Sequence, residues 1–379
     1  MKVLFLTGSR SDWGYIKPII DECKKNKIKN YLCVTNMLLL DTFGTGVNDI
    51  INEGYKVHEE IYMSLDGYNT YTTTKSMGVF IISFTDVLKK YNPDWVVLAG
   101  DRYETLIASI ACAYTNTPIA HIQAGELSGN IDGVSRHAIG KFAHLHLASN
   151  KDAAMRLIKL GEEKFRVKVV GAPQLDQIHQ LIKRNNFIEV QKKYLIPDSK
   201  KYYVVIFHSV TEEINKIKTQ IKILIKSLNK FKEKKIWIMP NNDPGSSIIR
   251  EKLLNESNDQ NLIYDNFKRA DFLTIMKNSI AIIGNSSAGI IEAPSFHLPS
   301  VNLGRRQKDR YRAKNTIDVS EFRVIEIVEA IKVASSNNFI KKISKEKNPY
   351  GDGLSSRRIV KELISMFANE KILLKTLTY

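Results

Sequence analysis

The chain has 379 residues, of which 43% are hydrophobic and 25% charged, and its formal net charge is +16. This composition is typical of a soluble globular protein with room for two domains, and the lack of an apolar run of roughly 18 residues excludes a membrane-spanning helix. The 3 cysteines lack metal-site spacing, which argues against a disulfide framework or a zinc site and indicates a reducing, cytoplasmic environment.

The excess of positive charge allows two interpretations. A nucleic-acid-binding surface would interleave clustered basic residues with aromatic ones. The lysines here are spread over predicted solvated helix faces, and Phe231 is the only aromatic residue in the lysine-rich stretch 222–235. We therefore expect a positive field that attracts a small polyanion, such as a nucleotide diphosphate, and no nucleic-acid partner.

The first half of the chain alternates short apolar strands with helices. A strand at 3–7 ends in a turn of small residues that contains Arg10, and a helix follows at 13–23. Such alternation predicts a doubly wound parallel sheet. The further strands predicted in this half lie at 31–35, 95–100, 119–123, 145–148 and 167–171.

The second half repeats this pattern. Its predicted strands lie at 203–207, 235–239, 262–264, 281–283 and 299–303. We predict an α/β fold with two Rossmann-like domains, residues 1–180 and 181–354, that face each other across a central cleft. A lysine-rich linker is expected at 180–201, and a C-terminal helix within 355–379 is expected to pack back on the first domain. No GxGxxG turn or Walker lysine motif follows a first strand, so a nicotinamide cofactor and ATP hydrolysis are not expected.

A strand, a turn of small polar residues and a helix are predicted at 282–294, which reads IIGNSSAGIIEAP. Unpaired N–H groups at such a helix start could bind a phosphate together with the hydroxyls of Ser286 and Ser287. Glu292 could accept hydrogen bonds from a ribose. An ordinary capped turn is the alternative.

Several arginines follow the last predicted strand. Arg306 and Arg310 could place guanidinium groups beside the serine turn, where they would suit bidentate contacts with phosphate. A pair of surface salt bridges is the alternative interpretation.

Acidic residues gather at strand ends in the first half. Asp101 and Glu126 each follow a strand, and Asp132 precedes a helix that carries Arg136. Neighbouring carboxylates push their pKa values apart, so that one can act as an acid while another acts as a base. Three carboxylates could also hold a divalent metal, or could be solvated loop charges. We favour acid–base catalysis without a metal.

Polar residues end other predicted strands as well. His208 could donate to a diphosphate or shuttle a proton. Asn242 lies in a loop that is also typical of a plain Asx turn. Ligands of open α/β sheets bind at the carboxyl ends of the strands, so we expect one cleft to be lined by these residues. The residues are Arg10, Asp101, Arg102, Glu126, His208, Asn242, Asp243, Ser286, Ser287 and Arg306.

Several short motifs occur in a characteristic order along the whole chain. They are TGSRSDWG from residue 7, GDR from 100, GELSGNID from 125, RHAIGK from 136, His208, NNDPGS from 241, GNSSAG from 284, RRQ from 305 and YGDG from 350. In their order and spacing they resemble the hydrolysing UDP-N-acetylglucosamine 2-epimerases that begin sialic acid synthesis. The resemblance implies the two-domain GT-B fold.

The resemblance also implies a reaction without a redox cofactor. UDP would leave C1 of UDP-N-acetylglucosamine as the C2 proton is removed, giving 2-acetamidoglucal, and water would then add to release N-acetylmannosamine. By resemblance Asp101, Glu126 and Asp132 are the acid–base carboxylates, and His208 lies near the diphosphate. The implied substrate- and nucleotide-binding residues are Arg10, Arg102, Arg136, Asn242, Ser286, Ser287, Glu292, Arg306 and Arg310.

The chain departs from the family pattern at Trp13, Gly133 and Ser209. These departures leave the mechanism intact but do not decide the identity of the sugar. Close relatives act on nucleotide-linked 2,4-diacetamido-trideoxyhexoses on the route to legionaminic acid. A non-hydrolysing epimerase, a GT-B glycosyltransferase and a non-catalytic binding module are competing interpretations. We expect a UDP-sugar as the small-molecule partner, no membrane partner, and a homodimer or homotetramer.

Overall fold

The computed structural model describes residues 1–44, 46–66, 69–178, 186–367, 370–376 and 378, and these form two compact units. The first unit comprises Met1–Leu127, Ile131–Asp176 and Tyr350–Tyr379, and the second comprises Ser128–Asn130 and Gln177–Pro349. The predicted domain boundary at 180 and the start of the predicted linker lie outside the described residues. None of the helices in the described part has the length and apolarity that a bilayer crossing requires.

The first unit is built on a seven-stranded parallel sheet with the order β3-β2-β1-β4-β5-β6-β7. Its strands are β1 (Lys2–Thr7), β2 (Lys29–Thr35), β3 (Glu59–Ile61), β4 (Trp95–Ala99), β5 (Ile119–Ile122), β6 (Leu145–Ala148) and β7 (Val167–Val169). The chain runs outward in one direction from β1 to β3 and in the other from β4 to β7. This reversal between β1 and β4 is the point at which such sheets bind ligands.

Helices cover both faces of this sheet. They are α1 (Arg10–Lys25), α2 (Gly46–Asn52), α3 (Thr70–Tyr91), α4 (Tyr103–Tyr114), α5 (Ile131–Phe142) and α6 (Lys151–Lys159). Phe5 of β1 packs into a core with Ile16 and Ile19 of α1, whereas Leu4 packs into a second core with Phe80 and Phe84 of α3. Because both faces of the central strands are buried, those strands are apolar throughout, which is why their positions could be predicted.

The second unit holds a six-stranded parallel sheet with the order β10-β9-β8-β11-β12-β13. Its strands are β8 (Tyr202–Ile206), β9 (Lys234–Ile238), β10 (Asn261–Tyr264), β11 (Ile282–Gly284), β12 (Ser300–Leu303) and β13 (Thr316–Val319). The strand order reverses between β8 and β11, so His208 and the serine turn both follow the strands at this point.

Seven helices belong to the described part of the second unit: α7 (Phe187–Tyr194), α8 (Ile217–Leu228), α9 (Ser246–Leu254), α10 (Arg269–Asn278), α11 (Ala288–Ile291), α12 (Val324–Ala334) and α13 (Asn337–Ile343). The described part of the predicted linker is therefore partly helical. Val190 of α7 is buried, and Lys193 and Tyr194 bond to Asp271 of α10 at 2.7 and 2.8 Å. An apolar stripe thus docks this lysine-rich stretch onto its unit.

The helix α14 (Ser355–Phe367) belongs to the first unit and packs against α1. The Asp176 carboxylate accepts hydrogen bonds from the N–H groups of Ser355 and Ser356 at 2.9 and 2.5 Å, and thus caps the helix start. Near the other end, the indole of Trp95 donates to the Leu363 carbonyl at 3.2 Å.

Candidate active site

In the first unit, the carboxylate of Asp101 pairs with the guanidinium of Arg136. Asp101 follows β4, and Arg136 lies on α5 with its side chain 2% exposed. Arg136 also donates from Nη1 to the carbonyl of Gln123 at 2.9 Å. An arginine held this way fixes the direction of the carboxylate. Arg136 was predicted to bind substrate. Its observed contacts orient Asp101.

The turn before Asp101 is held by a histidine that sequence reasoning missed. His121 lies in the middle of β5, is fully buried, and its Nε2 lies 2.7 Å from the carbonyl oxygen of Gly100. Burial lowers the pKa of His121 to about 3, so the neutral ring donates to that carbonyl. Its signal in the sequence is a lone polar ring inside an otherwise apolar strand.

Glu126 follows β5 and is only 2% exposed. Its Oε1 accepts a hydrogen bond from Asn150 at 3.3 Å, and its Oε2 accepts one from the Tyr350 hydroxyl at 3.4 Å. Asn150 is itself fixed because it caps α6 through the N–H of Ala153. Neutral donors from two distant parts of the chain therefore hold the carboxylate.

Asp132 lies in the first turn of α5 and is partly buried. Arg136 follows it by four residues, so both side chains project from the same face of that helix. The fold thus brings Asp132 to the neighbourhood of the Asp101–Arg136 pair.

The two other predicted arginines of the first unit have different surroundings. Arg10 begins α1 and donates to the carbonyl of Gly44 at 3.3 Å, with the Asp49 carboxylate 3.6 Å away. Arg102 precedes α4, and its Nε donates to Glu104 at 3.0 Å. Arg10 is thus turned towards α2, whereas Arg102 stays at the carboxyl end of β4.

In the second unit, Asn285 ties the end of β11 to the end of β8. Its Oδ1 accepts from the N–H of His208 at 2.7 Å and its Nδ2 donates to the His208 carbonyl at 2.8 Å, and the side chain is 1% exposed. The N–H of Asn241 donates to Nδ1 of His208 at 3.2 Å. Because Nδ1 accepts, the neutral ring carries its proton on Nε2, where it can donate to an anion.

The same asparagine gathers the arginine segment. Its backbone carbonyl accepts from Arg306 Nη1 and Gln307 Nε2, each at 3.2 Å, and Arg310 donates to Gln307 Oε1 at 3.1 Å. His208, Arg306 and Arg310 are thereby brought together around one buried amide.

Gly284 allows β8 and β11 to approach closely at this point. Its φ is +131°, and a Cβ there would overlap the carbonyl oxygen of Ile206. Glycine is required on both grounds, because L side chains avoid that conformation.

The helix predicted after the serine turn is a single turn. Ser286 accepts at Oγ from the N–H of Ala288 at 3.3 Å, and α11 spans four residues before a 3-10 turn at Ala293–Phe296. Pro294 has no N–H to continue the helix. One turn gives only a weak dipole, so the case for anion binding rests on the hydroxyls, the N–H groups and the arginines.

Two further predicted residues lie near this turn. Glu292 is paired with Arg269, with 2.5 Å between Oε1 and Nη2, so the predicted ribose acceptor already has a cationic partner. Asn242 is buried in the loop after β9. Across the described residues, no group of three or more histidine, cysteine, aspartate or glutamate side chains is placed to hold a metal ion.

A family model described as UDP-N-acetylglucosamine 2-epimerase matches residues 21–364. The chain belongs to this family. It is 34% identical over 380 residues to the UDP-N,N'-diacetylbacillosamine 2-epimerase (hydrolyzing) of Legionella pneumophila, covering 100% of this chain and 99% of that protein. It is 31% identical over 337 residues to a UDP-N-acetylglucosamine 2-epimerase of Neisseria meningitidis, covering 88% of each chain.

Among solved structures, the UDP-GlcNAc 2-epimerase from Neisseria meningitidis bound to UDP-GlcNAc matches with a TM-score of 0.82 at 22% identity. The match covers 96% of this chain and 100% of that one. It shows the fold. The predicted family and the predicted fold class, two Rossmann-like α/β domains of the GT-B type, are confirmed.

Membership of the epimerase family also helps to explain which residues sequence reasoning missed. Asn285 and Tyr350 both lie within motifs that carry the resemblance, GNSSAG and YGDG. Their partners are 77 and 224 residues away in the chain, which no motif reveals. The motifs thus marked the right segments, but only the fold shows what these side chains hold.

Proposed function

We propose that this family member is a hydrolysing 2-epimerase that converts UDP-N-acetylglucosamine and water to N-acetylmannosamine and UDP, for nonulosonic acid synthesis. One observation carries the proposal: the full-length likeness to the Legionella pneumophila protein whose name specifies a hydrolysing 2-epimerase. The Neisseria meningitidis relative named for UDP-N-acetylglucosamine supports the choice of sugar.

The first step removes the proton from C2 of the sugar. The electron pair of the C2–H bond becomes the C1=C2 double bond, and the C1–O bond breaks with its pair leaving on UDP. The base is drawn from Asp101, Glu126 and Asp132. The Arg136 guanidinium orients Asp101, whereas Asn150 and Tyr350 donate to the buried Glu126, so the two carboxyl groups have different surroundings. Unequal environments suit an acid and a base.

Stabilising the departing diphosphate is the second requirement, because negative charge develops on it as C1–O breaks. We assign this role to residues of the second unit. His208 supports it because its Nε2 carries a proton, and Arg306 and Arg310 support it because the Asn285–Gln307 amides hold them nearby. Ser286, Ser287 and Asn242 complete the phosphate-binding set, with Glu292 at the ribose. In the first unit, Arg10 and Arg102 are assigned to substrate binding.

In the last step water adds to the 2-acetamidoglucal. Hydroxide bonds to C1, and a second carboxyl group delivers a proton to C2 from the face opposite to the one that lost it. The free sugar is then N-acetylmannosamine. No cofactor enters this scheme, because no electrons are gained or lost overall.

A second substrate is favoured by one observation. The relative with 34% identity is named for UDP-N,N'-diacetylbacillosamine, a 2,4-diacetamido sugar nucleotide. The same elimination and hydration would serve that sugar, since both steps involve only C1 and C2.

Product analysis with the two sugar nucleotides side by side tests the proposal. We expect equal amounts of UDP and a free 2-epimerised sugar, detected by chromatography and proton NMR, and higher kcat/KM for UDP-N-acetylglucosamine. Accumulation of UDP-N-acetylmannosamine without free sugar would contradict the hydrolysing activity. A requirement for an acceptor would instead indicate a glycosyltransferase.

We further propose a cytoplasmic homodimer or homotetramer. The free, buried thiols of Cys23, Cys33 and Cys112 support a reducing compartment. On α3, the apolar side chains of Tyr71 and Ile82 are 81% and 72% exposed, and exposed apolar side chains of this kind support self-association. Light scattering is expected to give two or four times the chain mass of 43.2 kDa. A monomer at micromolar concentration would contradict this.

A further inference from the structure

Next to the proposed acid–base residues lie two buried carboxyl groups that the mechanism does not use, beside an arginine assigned to substrate binding. They are Asp12 on α1 and Glu104 on α4, and together with the guanidinium of Arg102 we call them the buried acidic cluster. Asp12 and Glu104 are 6% and 1% exposed. The N–H of Gly8 donates to the Asp12 carboxyl at 3.4 Å, and the N–H of Asp12 donates to Ser9 Oγ at 3.2 Å. Asp12 is therefore fixed at the turn after β1.

Glu104 joins that turn to the turn after β4. A Cβ on Gly8 would overlap the Glu104 carboxylate, so this carboxylate lies directly against the first turn. Its Oε1 accepts from Arg102 Nε at 3.0 Å. Its Oε2 is buried without a hydrogen-bond partner among the described residues.

The charges of the cluster do not balance if both carboxyl groups ionise. One guanidinium would then face two buried carboxylates, and a buried charge without compensation is costly. Burial raises the pKa of Asp12 to about 7, with the charge of Glu104 acting in the same direction and Arg102 acting against it. With Asp12 protonated, the cluster has zero net charge.

Other elements that pack on α1 do not add to this balance. The 3-10 turn Pro173–Leu175 carries no titratable side chain. On α14, Arg358 pairs with Asp352 at 2.7 Å and Glu362 pairs with Lys168 at 3.3 Å, so these charges are engaged elsewhere. The charged groups that act on the pKa of Asp12 are Glu104 and Arg102, while hydrogen bonds from Ser9 and from the Gly8 N–H oppose the effect of burial.

We propose that Asp12 is a positioning residue for the epimerase reaction, which holds one proton beside Glu104 and so keeps the Arg102–Glu104 ion pair in place and the cluster uncharged. This inference rests on the proposed function. Arg102 directly follows Asp101, so a cluster that gains a negative charge would repel an anionic substrate there. Loss of the Asp12 proton to solvent therefore weakens substrate binding and leaves the chemical step unchanged.

The test compares wild type with Asp12→Asn, a neutral isostere of the protonated carboxyl. Initial rates with UDP-N-acetylglucosamine are measured from pH 5.5 to 9. For wild type we expect KM to rise about tenfold as pH passes 7, an effect of the size that the loss of a charge-assisted contact would have. The value of kcat should follow a separate pH profile. The rise in KM should be absent in Asp12→Asn. Equal KM profiles for the two proteins would overturn the proposal.

A second readout needs no substrate. The folded-state pKa of Asp12 lies above its unfolded value of about 3.9, so the folded state binds more protons between these values. Wild-type stability must therefore fall relative to Asp12→Asn as pH rises from about 4 to 7, and the difference must level off above 7. We expect the Tm of wild type to fall relative to that of Asp12→Asn over that interval, and a constant difference in Tm would overturn the proposal.

A second variant covers the case in which Asp12→Asn does not fold. Glu104→Gln removes the neighbouring charge, so the pH at which KM rises should move downward. If the pH at which KM rises were the same in Glu104→Gln as in wild type, the proposed role of the cluster would be contradicted. Inactivity of wild type on every sugar nucleotide would defeat the proposed function, while the Tm comparison would still decide the protonation of Asp12.

Discussion

Glu126→Gln and Asp101→Asn are each expected to lower kcat by about 10³-fold while UDP still binds, since one acid–base group contributes about 10²–10⁴-fold. Both substitutions keep the size of the side chain and remove its negative charge and its ability to exchange a proton. In Glu126→Gln the amide oxygen can still accept from Asn150, and its NH₂ can donate to the Tyr350 hydroxyl. The fold should therefore survive. Steady-state kinetics and calorimetric titration with UDP give the two quantities.

Asp101→Asn differs in one respect. It leaves the guanidinium of Arg136 buried without its carboxylate, and breaking such a pair costs about 3–5 kcal/mol. We therefore expect a lower Tm for Asp101→Asn than for Glu126→Gln. Asp259→Asn, at an exposed position just before β10, is the matched control and should keep full activity. Loss of UDP binding in both site variants would contradict the acid–base assignment.

Asn285→Ala is expected to have the complementary effect, a loss of UDP affinity of about 10²-fold, or ~3 kcal/mol. The side chain satisfies both backbone groups of His208, and its truncation leaves a buried N–H and carbonyl unpaired, at about 1–3 kcal/mol each. The imidazole then loses its position relative to Arg306. Calorimetric titration with UDP measures the effect, with circular dichroism to confirm the fold.

Asn285→Asp sharpens this test. An aspartate can still accept from the His208 N–H, but it cannot donate to the His208 carbonyl, and it adds a negative charge where an anion is expected. We expect it to bind UDP more weakly than Asn285→Ala does. The control is Asn255→Ala, since Asn255 is exposed at the end of α9. Unchanged UDP affinity in a folded Asn285→Ala would show that the phosphate site lies elsewhere.

The sequence predicted the sheets well because parallel strands buried on both faces are nearly continuous apolar runs. The first and last residues of every predicted strand differ from those of an observed strand by at most two positions. The strands β3 and β13 escaped prediction because they are edge strands with polar sequences, EEI and TIDV, and partly exposed residues. Edge strands bury less surface, so their composition carries a weaker signal.

The candidate site was predicted as a set of residue types at strand ends, since topology alone brings those ends together. Pairing within the set could not be predicted. Arg136 holds Asp101, and Glu292 holds Arg269, because buried charges need partners that only the fold supplies. The roles of His121 and Asn285 could not be predicted for a similar reason, since each satisfies backbone groups at the end of a neighbouring strand.

Incubation with UDP-N-acetylglucosamine in deuterium oxide tests the central claim most directly. If a carboxyl group removes the C2 proton and water then adds to the 2-acetamidoglucal, the products are UDP and free N-acetylmannosamine with one deuterium at C2, visible by proton NMR and mass spectrometry. Free sugar that keeps its original C2 hydrogen, or a product still linked to UDP, would contradict the account.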